Sequence, residues 1–110
     1  MDSQVIHASE IESPNGVFKP LTAQLGVAGF KLNQLELPAG AEGPEHDHAS
    51  NNEEEVYAII AGGGTLRLDG EEIALTPGHF VYCPPNARRQ MIAGDEGLTW
   101  IGIGSAASDS

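Results

Sequence analysis

His46 and His48 stand one residue apart, and three glutamates, Glu53 to Glu55, follow shortly after. On an extended backbone, residues i and i+2 face the same side. The two imidazoles can therefore converge on one point, and a carboxylate from the next strand can join them. Two nitrogens and one oxygen on one side of a divalent ion leave open positions opposite. Iron, manganese, zinc and nickel all accept such a set. The chemistry it supports is metal-assisted activation of a small molecule.

The elements that must position these groups read as strands. Helix signals are nearly absent, while 14 glycines and 7 prolines punctuate the chain, the mark of many short strands. Strands are expected over residues 29–37, 55–61, 65–69, 72–76, 79–83, 88–93 and 98–104. Glu55–Ala61 is apolar on both faces, as in a wall covered by a second layer or a partner subunit. Asp69-Gly70 is a hairpin turn, and Thr76-Pro77-Gly78 fits a type II turn. Gly62-Gly63-Gly64 reads as a tight turn and Gly94–Gly97 as a loop. Trp100 is expected half-buried. Val5–Ile6 is a candidate edge strand or dimer arm within residues 1–15, and residues 105–110 read as a fraying tail. Such strands without helices build a sandwich or a closed barrel, and closure can enclose a small ligand.

The 110 residues fit one domain. With 16 acidic against 5 basic residues, the net charge is −11. That argues against nucleic acid and anionic membrane, which need clustered Lys and Arg. Cys83, the lone cysteine, fits a reducing compartment and reads as a buried small hydrophobe. No apolar run approaches the ~20 residues of a membrane span. No leader pattern precedes the first strand, so the expected location is the cytoplasm.

The motifs resemble those of the cupin superfamily. Gly40 is followed by five residues and then His46-Asp47-His48, and Glu55 by six residues and then Gly62. Pro77-Gly78 and Pro84 match the second cupin motif. The resemblance implies an all-β, single-domain cupin-like β-barrel, a double-stranded β-helix of jelly-roll type. It also implies a homodimer, a small-molecule ligand in the barrel, and a divalent transition metal (Fe, Mn, Zn or Ni) on His46, His48 and Glu55. Glu55 keeps the spacing to the glycine, whereas Glu53 keeps the shorter gap from His48 and is the alternative ligand. Counting from Pro84, the family's third histidine falls on Arg89, and an arginine does not ligate metal.

Three readings of Arg89 follow. Directed inward, it faces a small anionic ligand, or it pairs with Glu55 and competes with the metal; a solvent-facing Arg89 is the third possibility. Tyr57 and Ile59 share Glu55's parity and Met91 shares that of Arg89, so all three are candidate cavity-lining residues. Glu45, Asp47, Glu53 and Glu54 are expected on a solvated acidic rim, and His79 at a turn. Two functions stay open at this point, ahead of a purely structural dimerising barrel. One is a metal-dependent dioxygenase, isomerase or lyase; the other is a non-catalytic binding or sensing module with a degenerate, metal-free site. Gly62–Gly64 lacks the Lys-Ser/Thr and helix of a phosphate loop, and no glycine-flanked serine marks a hydrolase.

Overall fold

The computed structural model describes residues 3–107. Its strands are β1 (Phe18–Pro20), β2 (Lys31–Leu37), β3 (Glu53–Leu68), β4 (Glu71–Leu75), β5 (Phe80–Cys83) and β6 (Arg89–Ala106). They form one antiparallel sheet in the order β1-β2-β6-β3-β4, with β5 paired to β3. The sheet curls into a β-barrel around a cavity.

Two long strands carry the architecture. The expected turn at Gly62–Gly64 and loop at Gly94–Gly97 are instead the places where β3 and β6 bend while continuing. Their pairing shifts register between Ile59 and Ala61 and between Gly62 and Gly64. A Cβ on Gly62 would collide with the Gly97 carbonyl, and one on Gly64 with the Ile92 carbonyl. The glycines therefore serve close backbone approach rather than chain reversal. As a result β3 pairs with β5 through Glu55–Ala58 and with β4 through Gly64–Leu68. One strand thus serves both halves of the barrel.

The local turn chemistry holds. Asp69 and Gly70 both adopt positive φ, 48° and 86°, as a type I′ hairpin requires. His79 sits at the Thr76–Gly78 turn, where its Nδ1 accepts from the Thr76 amide at 2.9 Å. The core gathers Leu37, Tyr57, Ile59, Leu66, Leu75, Cys83, Met91, Ala93, Leu98 and Trp100. Burial pushes the Cys83 thiol up, in keeping with a packing role.

Several expectations are corrected. Val5–Ile6 forms no strand, and the first strand is Phe18–Pro20. A single helical turn, Thr22–Leu25, ends at Gly26 in the left-handed conformation; it is too short to leave a periodic signature. Trp100 is buried rather than half-buried, packed edge-on to Tyr57. The strand β6 runs on to Ala106, and Ala107 donates to the Asn52 carbonyl at 2.8 Å. The rest of the expected tail, residues 108–110, lies outside the described residues, as do residues 1–2. Among the described residues no helix is long and apolar enough to cross a membrane.

Candidate metal and ligand site

His46, His48 and Glu55 come together in the cavity. One ligand atom from each lies within 4.8 Å of the others. His46 is fixed by a backbone bridge to Arg89, in which each amide donates to the other's carbonyl at 2.9 Å. The His48 amide is held by the Pro85 carbonyl at 2.8 Å. Glu55 stands on β3 opposite Cys83 of β5 on one side and Gly104 of β6 on the other. The loop carrying the histidines is therefore tied to the turn between β5 and β6. Glu53 does not join the cluster.

Arg89 points inward and is 1% exposed. Its Nη2 donates to Glu55 Oε1 at 2.7 Å and its Nε to the Tyr57 hydroxyl at 3.3 Å. Nη1 donates to the Pro84 and Ala87 carbonyls at 3.2 and 2.8 Å. Four of the five guanidinium N–H groups are thus spent on the protein itself. Of the three readings of Arg89, the pair with Glu55 is the one seen.

Glu55 Oε1 also accepts from Tyr57 Oη at 2.7 Å, and His48 Nε2 lies 3.1 Å from it. Burial pushes the Glu55 carboxyl up, but the bonds from Arg89 and Tyr57 and the charges of His48 and Arg89 outweigh it and hold it below the usual range. Burial, with the Glu55 charge beside it, pushes the Tyr57 hydroxyl well up, so it remains a donor. Burial opposes the Arg89 charge, yet the bonds to Glu55 and Tyr57 prevail and its pKa is raised.

The donor set fits a divalent ion. His46 Nδ1 lies 3.2 Å from the Pro44 carbonyl and must carry the proton there. Its Nε2 then presents a lone pair and makes no bond among the described residues. The second Glu55 oxygen, Oε2, is equally uncommitted. Donors sharing one side of an ion are roughly 3–3.5 Å apart at bond lengths near 2.1 Å, so the three side chains must draw together to close the set. His48 would have to give up its contact with Glu55, which weakens the site.

The cavity beside these residues has a volume of ≈ 350 Å³, at the small end of the roughly 300–1,000 Å³ of small-molecule sites. Tyr57 and Met91 line it as expected. Ile59 shares the inward parity but lies in the core beyond the cavity wall, at 2% exposure. Glu53 is not on a solvated rim. It is buried, lines the cavity, and meets Lys31 Nζ at 2.9 Å. Glu45 and Asp47 do lie on the outside, with Arg88. Sequence reasoning missed Lys31, Asn33 and Trp100 as lining residues. The alternation Lys31, Asn33, Leu35, Leu37 along β2 was the available signal.

Residues 33–104 match the cupin domain family. The chain is a cupin. The structure is similar to that of a cupin protein from Bacteroides fragilis, at 27% identity and TM-score 0.81, covering 100% of this chain and 89% of that one. It is also similar to a cupin 2 conserved barrel domain protein from Salinispora arenicola, at 23% identity and TM-score 0.76, covering 97% and 90%. Among curated proteins none matches. In this cupin the carboxylate of the histidine–glutamate set is braced by a guanidinium.

Proposed function

We propose that this cupin binds a divalent transition metal through His46 Nε2, His48 Nε2 and Glu55, and acts on a small organic anion held in the barrel. The observation that carries the reading is the convergence of these three groups on one side of the cavity, with His46 Nε2 and Glu55 Oε2 uncommitted. When bound, the ion supplies Lewis acidity at an oxygen beside the reacting carbon, as a dioxygenase, isomerase or lyase step requires. The chain's own residues prepare that chemistry. Arg89 and Tyr57 fix the orientation of Glu55, and Pro44 fixes the tautomer of His46. Arg89 stands behind the carboxylate as a positioning residue, and its charge lowers metal affinity relative to a fourth ligand.

Metal analysis of untagged protein tests the reading. Bound metal that is lost in His46→Ala is the expected result. No metal as purified, and none taken up from added Zn²⁺, Mn²⁺ or Fe²⁺, would sink it. The second reading, a metal-free binding module, draws on the Arg89–Glu55 pair at 2.7 Å. Arg89→His discriminates: tight metal binding gained by that variant from a parent with none assigns the parent to the second reading. The proposal includes a homodimer, supported by the exposed apolar side chains Phe80, Tyr82, Ile60 and Ile103 on the outer face of β5, β3 and β6.

A further inference from the structure

The cavity changes character along its length. β2, β6 and β3 lie side by side, and their inward residues form rows across the three strands. Lys31, Gly104 and Glu55 make the first row, Asn33, Gly102 and Tyr57 the second, and Leu35, Trp100 and Ile59 the third. Charge therefore gives way to amide and hydroxyl, and then to hydrocarbon and indole. Exposure follows the same gradient. The Lys31 side chain is 59% exposed, while Trp100 and Leu37 are buried. The polar end is the mouth and the apolar end the floor.

The middle of the cavity is space left by a glycine. A Cβ built on Gly102 would sit 3.7 Å from the Tyr57 ring and 3.9 Å from Leu35 Cδ1, which is ordinary contact. Nothing in the packing forbids a side chain there, and any side chain there would fill the cavity. The cations divide as well. Arg89 has committed four of its five donors to Glu55, Tyr57, Pro84 and Ala87. Lys31 has three donors, of which one reaches Glu53, and its long stem can follow a ligand.

We propose that the ligand is a small monocarboxylate with a compact apolar body, an aryl or branched alkyl group. The body lies inward against Leu35, Leu37, Met91 and Trp100, and the carboxylate stays at the mouth, where Lys31 rather than Arg89 meets it. A sugar or a dicarboxylate would lose water from polar groups against those carbons with no partner to replace it. The inference names the ligand class of the site proposed above and rests on that cavity being the ligand site, not on the metal.

Trp100 is the chain's only tryptophan and lines the cavity, so its emission reports filling. Phenylacetate titrated into metal-stripped and into zinc-treated protein should give a saturable change in Trp100 emission in both. Phenylacetamide should bind about fivefold more weakly, the measure of one partly exposed ion pair. Oxalate and glucose 6-phosphate should give no saturable change. Lys31→Gln should abolish the preference for the acid over the amide. Gly102→Val should weaken phenylacetate binding at least tenfold, and Gly102→Ala carries the same test with a smaller plug.

An equal or stronger response to oxalate or glucose 6-phosphate overturns the proposal, as does phenylacetate binding unaffected by either plug. An acid preference that survives in Lys31→Gln overturns the role of Lys31. Phenylacetate binding without any zinc binding removes the metal reading and leaves this one standing. Zinc binding without phenylacetate binding does the reverse.

Discussion

Glu53 and Glu55 lie two residues apart on β3, face the same cavity, and each meets a cation from another strand. Glu55 meets Arg89 of β6 at 2.7 Å, and Glu53 meets Lys31 of β2 at 2.9 Å. The difference lies in what else each cation does. Arg89 is buried, and its planar fork also holds the Tyr57 hydroxyl and two carbonyls of the turn before β6. Lys31 is a largely exposed ammonium on a flexible stem. Similar distances therefore describe two different devices, a fixed brace and an adjustable contact. Water screens the second and hardly reaches the first.

Breaking the brace should have the largest effect. Arg89→Leu leaves Glu55 charged without its main partner and strands the Ala87 carbonyl. A loss of about 3–5 kcal/mol is expected for such a broken pair, read from urea unfolding. A loss under ~1 kcal/mol would show that water already reaches Glu55 and that the two pairs are alike.

Gly104→Ala attacks the other pair through its packing. The added Cβ would lie 2.8 Å from Glu53 Oε1 and 3.2 Å from the Glu54 carbonyl. The carboxylate must turn aside, disturbing its contact with Lys31, at a cost of about 1 kcal/mol read as a lowered Tm. An unchanged Tm would mean that Glu53 has room to turn aside.

Lys31→Ala should have the smallest effect, within ~1 kcal/mol. That small loss should shrink further in 1 M salt, while the effect of Arg89→Leu should not. A salt-independent loss would place Lys31 with the buried brace.

Period-two alternation made most strands legible, and residue-level spacing singled out His46, His48 and Glu55. The inward direction of Arg89 was legible from its motif position. What it does there was not, because the choice between a ligand and Glu55 depends on which acceptors lie within reach. Glu53 misled for a related reason. Three successive glutamates look like a solvated rim, but on a strand alternate ones face inward, and Lys31 lies far away in sequence. The glycine bends were misread because close approach and chain reversal use the same residue. Only the partner strand's carbonyls distinguish them.

The bends at Gly62 and Gly64 also bear on traffic. β3 and β6 pass through both halves of the barrel without a break, so the halves are joined by two continuous strands rather than by a loop. A guest that enters by the polar end passes Lys31, whose side chain is 59% exposed beside the cavity.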